Sequence, residues 1–172
     1  VIGPLLTERL QLRELTPADA PFIRRLLNEP SFLRFIGDRG VRNDADAANY
    51  LLRGPMASYS RHGHGLLRVG LRADDTPVGI CGLVRRDTLP QPDIGFAFLP
   101  EHWSQGFAFE AAEAALRHGR DMLGLEEVLA IVTPGNERSV ALLARLGLRF
   151  EREVSLGGDP KPLLLFRSAA AT

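Results

Sequence analysis

The sequence predicts a mixed α/β fold, a sheet flanked by helices, and three observations carry that expectation. Leu67, Val69 and Leu71 alternate with Arg68 and Gly70, and beyond the Asp74-Asp75-Thr76-Pro77 turn the apolar run 78–84 continues as an antiparallel partner. A strand at 93–99, a helix from Gly106 to about Leu123 and an apolar segment at 128–132 follow as a βαβ unit, whose crossover makes its strands parallel. The 172 residues, 45 % of them apolar, suffice for one core, and no linker, repeat or low-complexity tract divides them. Residues 1–172 are therefore expected to form one domain, with a short flexible tail at 168–172.

In chain order, Leu10 and Leu12 alternate with Gln11 and Arg13 as a first strand with one wet face. Thr16-Pro17-Ala18-Asp19 supplies a cap, an early proline and an early acid for a helix carrying Ala20, Ile23, Leu26 and Leu27, ending near Asn28. Phe32, Leu33, Phe35 and Ile36 lie between Pro30 and Gly37. A second helix starts near Asn43 or Asp44 with Ala47, Tyr50 and Leu51 on one face, and the sequence through Gly54 and Pro55 does not fix its end. In the Gly106 helix the expected apolar stripe is Phe107, Ala111, Ala114, His118 and Met122, with Glu113 and Arg117 ordered for an ion pair. Asn136 can cap a further helix bearing Val140, Leu143, Ala144 and Leu146, which Gly147 ends. Residues 149–154 and 163–166 complete the strands around a Gly157-Gly158-Asp159-Pro160 turn.

Charge and cysteine content narrow the function classes. The 21 basic and 21 acidic residues cancel, which argues against a nucleic-acid or anionic-membrane surface, and no recognisable nucleic-acid module is present. No apolar run reaches membrane-span length and no secretory signal is visible, so a reducing cytoplasm is the expected setting. Cys81, the single cysteine, lies in an apolar strand and reads as a small core residue. His62-Gly63-His64 lacks a third ligand and reads as two exposed loop histidines, so no metal is expected. No Gly-x-Ser-x-Gly elbow supports a serine hydrolase.

The segment that carries chemistry is His102-Trp103-Ser104-Gln105-Gly106-Phe107-Ala108-Phe109-Glu110, between a strand and a helix. A pyrophosphate needs converging backbone N–H groups, and a helix start supplies them with a favourable dipole. Gly106 and Ala108 keep side chains small where phosphate must approach. The segment is neither a Walker loop nor a dinucleotide fingerprint, because both glycine patterns are absent.

These elements and motifs together resemble the GNAT (GCN5-related) N-acetyltransferases, and within them the branch of ribosomal-protein N-terminal, or Rim-type, enzymes. The likeness runs from Thr7-Glu8-Arg9-Leu10-Gln11-Leu12-Arg13 to Leu146-Gly147-Leu148-Arg149-Phe150. The family's Gln/Arg-x-x-Gly-x-Gly/Ala loop aligns with Trp103-Ser104-Gln105-Gly106-Phe107-Ala108, Trp103 replacing the usual first residue, and Asn136-Glu137-Arg138-Ser139 resembles its Asn-x-x-Ser. The resemblance implies a GNAT fold with about seven strands, splayed between residues 93–99 and 128–132. It also implies acetyl-CoA as cosubstrate. The pantetheine arm would bond the backbone of Phe96, Ala97, Phe98 and Leu99, while Ser104, Gln105, Gly106, Phe107, Ala108 and Phe109 hold the pyrophosphate. A backbone N–H near Phe96 or Phe98 would face the oxyanion. Asn136 would contact pantetheine, be a helix cap, or do both.

Ser139 is the candidate for protonating the CoA thiolate, or else part of the helix start. Many GNAT enzymes use a tyrosine there, but Tyr50 and Tyr59 match no such position. Asp93 and Glu101 are candidate bases, or exposed acids at a strand end. Phe32, Phe35 and Tyr50 belong to the core or to the acceptor pocket. The expected activity is acetyl transfer to a primary amine, either a protein N-terminus or a small molecule such as a polyamine, antibiotic or amino acid. A catalytically silent CoA-binding sensor is the alternative.

Overall fold

The computed structural model describes residues 2–169. In chain order it contains β1 (Leu5–Leu6), β2 (Leu10–Glu14), α1 (Ala20–Leu27), α2 (Pro30–Phe35), α3 (Asp44–Arg53), α4 (Pro55–His62), β3 (Leu66–Leu71), β4 (Pro77–Val84), β5 (Asp93–Phe98), α5 (Phe107–Leu123), β6 (Leu129–Val132), α6 (Glu137–Arg145), β7 (Leu148–Val154) and β8 (Leu163–Ser168). One mixed sheet holds all eight strands in the order β1-β2-β3-β4-β5-β6-β8-β7. β1, two residues long, is the strand that no alternation announced. Every neighbouring pair is antiparallel except β5 and β6, and those two share a single register pair, Asp93 with Leu129.

Period-two alternation sends neighbouring strand residues to opposite layers. Cys81 packs beneath α5 with Leu10, Leu83, Ala111 and Ala115, whereas Ile80 packs with Ile23, Leu26, Phe32 and Leu51 of the α1–α3 layer. Burial pushes the Cys81 thiol pKa far up, so it is an inert core group. Strand contact is tight enough that a Cβ on Gly82 would lie 2.1 Å from the Gly65 carbonyl oxygen.

Several expectations need correction. Residues 55–62, which no sequence signal assigns, are a helix: α3 ends at Arg53 and Pro55 opens α4, where its missing N–H has no helical partner to lose. His62 is therefore helical and exposed, and His64 is buried with Nδ1 2.9 Å from the Leu83 carbonyl oxygen. On α5 the buried stripe is Phe107, Ala111, Ala112, Ala115 and Gly119, rotated from the expected one, and Met122 is 74 % exposed. Small residues let α5 lie close on the sheet, a cue that hydrophobicity alone misses. Ser168 is no part of a fraying tail, since its N–H donates to the Val128 carbonyl and its hydroxyl accepts from the Val128 N–H. The rest of that expected tail beyond Ala169 lies outside the described residues.

Candidate active site

The site begins where β5 parts from β6. The Leu99 N–H donates to Val78 of β4, so antiparallel alternation turns the even-numbered backbone groups to the other edge. Pro92 accepts from Leu129 there, but beyond the Asp93–Leu129 pair the strands diverge. The Phe98 carbonyl is taken by the Trp103 indole N–H at 2.8 Å. The Phe98 N–H and both backbone groups of Phe96 are left facing the gap.

The gap leads to the start of α5. Ser104 and Gly106 adopt positive φ values of 63° and 82°, and no side chain caps the helix. The first backbone helical bond, Glu110 N–H to the Gly106 carbonyl, leaves the Phe107, Ala108 and Phe109 N–H groups as the unpaired donors of a helix start. Arg9 braces this turn from behind. Its Nε bonds Glu110 at 2.8 Å, its Nη1 bonds the Gln105 carbonyl at 2.8 Å, and its guanidinium lies 4.5 Å from the Phe107 ring centroid. Burial raises the Glu110 pKa, but hydrogen bonds from Thr7 and Arg9 outweigh it and hold the carboxyl below its ordinary range. A Cβ on Gly106 would sit 3.2 Å from Arg9 Nη2 in a backbone conformation that side chains rarely adopt. Bare donors, a glycine and a nearby guanidinium fit a pyrophosphate.

Gap and helix start open into one cavity of about 350 Å³. Of the sequence-predicted residues, Phe96, Ala97, Phe98, Ser104, Gly106, Phe107, Ala108, Phe109, Asn136 and Ser139 line it. Leu99 and Gln105 do not: Leu99 is buried in the α1–α3 core, and Gln105 is exposed and joined to Arg9 through its carbonyl. The Asn136 side-chain Oδ1 accepts from the Ser139 N–H at 3.3 Å, so Asn136 is a cap as well as a lining residue. The Ser139 hydroxyl makes no hydrogen bond to the described residues.

The two candidate bases stand off the wall. Asp93, 1 % exposed, pairs with Arg86 at 2.9 Å, and burial pushes its carboxyl pKa up against the opposing pull of that guanidinium. Glu101 is exposed, and its backbone N–H, then Arg25, hold its carboxyl below the usual range. Phe32 and Phe35 line the cavity, whereas Tyr50 packs against the α1–α3 core.

Sequence reasoning missed Arg138, Arg145, His102 and Glu29, all on the cavity wall. Arg138 lies 4.5 Å from the Trp103 ring centroid and 3.4 Å from Ser104 Oγ, and Arg145 lies 4.4 Å from the Phe109 centroid. The signal for both was spacing: seven residues apart on α6, they share one helix face. Among the described residues no group of three or more His, Cys, Asp or Glu side chains is placed to hold a metal, and no helix is long and apolar enough to cross a membrane.

An open strand edge beside an uncapped helix start defines a binding site for a phosphate-bearing ligand with an extended arm. The family model described as an acetyltransferase (GNAT) domain matches residues 9–149, and the chain belongs to that family. It is an acyl-CoA-dependent N-acyltransferase, and its fold resembles that of Rim-type enzymes. A Bacillus subtilis protein named as the uncharacterized N-acetyltransferase YoaA is 29 % identical over 154 residues, covering 86 % of this chain and 84 % of its own. An acetyltransferase structure from Agrobacterium tumefaciens is 27 % identical with a TM-score of 0.83, covering 98 % of this chain and 95 % of that one. A ribosomal L7/L12 α-N-protein acetyltransferase, RimL, solved with coenzyme A, shares the fold at a TM-score of 0.77 and 12 % identity, with 98 % of each chain covered.

Proposed function

We propose that this enzyme acetylates a protein N-terminal α-amine from acetyl-CoA, through a complex that holds both substrates at once. The observation that carries the CoA part is the open edge of β5 running into the uncapped start of α5. Pantetheine amides would pair with the Phe96 backbone, and the pyrophosphate would meet the N–H groups of 107–109 with Arg138 beside it. The Phe98 or Phe96 N–H would stabilise charge on the thioester oxygen as the amine adds. The Ser139 hydroxyl, free of protein partners and on the cavity wall, would donate a proton to the departing sulfur.

The α-amine reading rests on the acceptor's own chemistry. Asp93 and Glu101 stand off the cavity wall, which leaves Glu29 and His102 as its acid–base side chains among the described residues, and an amine that deprotonates readily depends least on either. An α-amine of pKa about 7.7–8.0 and a lysine amine near 10.4 differ by about 3.4 kcal/mol in deprotonation cost. Initial rates are compared for a lysine-free peptide with a free N-terminus and a blocked peptide with one lysine, from pH 6.5 to about 9. The first is expected to react faster at neutral pH. A faster lysine peptide throughout, or reaction with only a polyamine or aminoglycoside, rejects the acceptor. Tight CoA binding without acetylation of any amine supports the sensor instead.

A further inference from the structure

Charge on the cavity wall is distributed unevenly. Arg138 and Arg145 lie beside the phosphate cradle, on α6. Among the described residues, Glu29 is the only carboxylate on the wall, at the corner between α1 and α2. Leu26, Phe32, Phe35 and Ile36 line the wall around that corner with apolar side chains, Ser31 being the one neutral polar residue among them. α2 is fixed over the opening between β5 and β6, because Thr133 Oγ1, just past β6, donates to the Phe35 carbonyl at 2.6 Å.

The Glu29 carboxylate is not committed to the protein. It makes no cap bond to α2. Its charged neighbour is Arg25, 3.9 Å away and beyond hydrogen-bond distance, and the Arg25 guanidinium is joined to Glu101. With 21 % of its side chain exposed, Glu29 is mostly withdrawn from solvent. CoA would gain little from it, since its phosphates are repelled by a carboxylate and its pantetheine amides are neutral. The substrate that gains is a cation.

We infer that Glu29 is the acceptor-binding carboxylate. It captures the ammonium form of the primary amine, and the apolar wall around it takes an adjoining hydrophobic group. This rests on the acyltransferase reading above and adds to it the residue that recognises the acceptor. A carboxylate beside an ammonium favours the charged form, whereas the amine attacks only when neutral. Glu29 therefore acts in capture: it lowers KM for the amine and, by favouring the unreactive ammonium, does not raise kcat. Its contribution fades as pH rises through the amine's own pKa.

Binding tests this without requiring turnover. Calorimetry on the protein saturated with CoA uses 2-phenylethylamine below pH 7.5, with 2-phenylethanol as the uncharged control. The wild type is expected to bind the ammonium more tightly than the alcohol. Glu29→Gln should lose about tenfold or more in ammonium affinity and leave alcohol and CoA affinity unchanged. Glu29→Asp, which keeps the charge on a shorter arm, should fall between. An alcohol bound as tightly as the ammonium by the wild type, or an ammonium advantage intact in a folded Glu29→Gln protein, overturns the assignment. With an accepted peptide, Glu29→Gln should raise KM for the peptide without lowering kcat, the difference narrowing between pH 7 and about 9. If the ammonium preference depends on Glu29 but no amine is ever acetylated, the binding inference stands and the acetyl-transfer reading falls.

Discussion

Two of the helix starts that border the cavity, those of α5 and α6, are built in opposite ways. α6 is closed by its own chain, the Asn136 side chain accepting from the Ser139 N–H. α5 opens on a left-handed Gly106, and the acid in its first turn, Glu110, turns away to bond Thr7 and the Arg9 backbone and side chain. Every helix start exposes donors, which side chains, water or a ligand must satisfy. On the proposed reading the contrast gives the two helices different tasks: α5 would receive phosphate, and α6 would hold one hydroxyl in place.

The largest expected effect on binding falls on α5. Gly106→Glu forces a bulky side chain into a left-handed turn, where its Cβ meets the Arg9 guanidinium that braces the cradle, and the distorted turn should weaken CoA binding by about tenfold or more, read by calorimetry. Gly106→Ala, which adds backbone strain without charge, should cost stability first and affinity less. Unchanged CoA affinity in a folded Gly106→Glu protein would remove the cradle from α5.

Next comes the hydroxyl on α6. Ser139→Ala should lower kcat by about a hundredfold while leaving acetyl-CoA affinity and melting temperature near wild type, because the backbone N–H makes the cap bond. Normal turnover would reduce α6 to a structural helix. If either Asp93→Asn or Glu101→Gln instead abolishes turnover in a folded protein, the search for the proton acceptor returns to that side chain.

A smaller effect divides Asn136 into its two roles. Asn136→Ala should cost about 1 kcal/mol in denaturant unfolding through loss of the cap, and Asn136→Asp, which keeps the accepting oxygen, should cost less. Should Asn136→Asp hold stability but weaken CoA binding, the amide N–H serves the ligand.

The smallest effect tests how α5 is anchored. The folded Glu110 carboxyl pKa lies below its unfolded value, so its contribution is present above about pH 4.3 and is lost as pH falls through the folded value. Glu110→Gln should therefore be less stable than wild type at pH 6, by no more than about 1 kcal/mol after solvent screening, with the gap closing as pH falls below the ordinary carboxylate range. A gap that persists in acid would assign the loss to packing.

The cradle was legible in sequence because it is local: a glycine, small neighbours and a helix start lie within a few consecutive residues, as does the Asn136 cap. The βαβ unit and the alternating strands were equally visible, since period and turn chemistry are set within short windows. Glu29 was not legible, because nothing around Asn28-Glu29-Pro30 marks the acid as facing a cavity. Arg9 likewise reads as an ordinary strand-edge residue until β2 folds beside Gln105 and Glu110. Asp93 shows the converse, a carboxylate next to the gap in sequence that the β5–β6 junction buries against Arg86. The order β6-β8-β7, the single contact between β5 and β6 and the cavity wall all depend on residues far apart in the chain. By itself the sequence determined most strands and helices, though not β1, α2 or α4, and it proposed where phosphate could be received. Which side chains share the cavity was decided only by tertiary packing, because side-chain direction depends on partners that local periodicity does not encode.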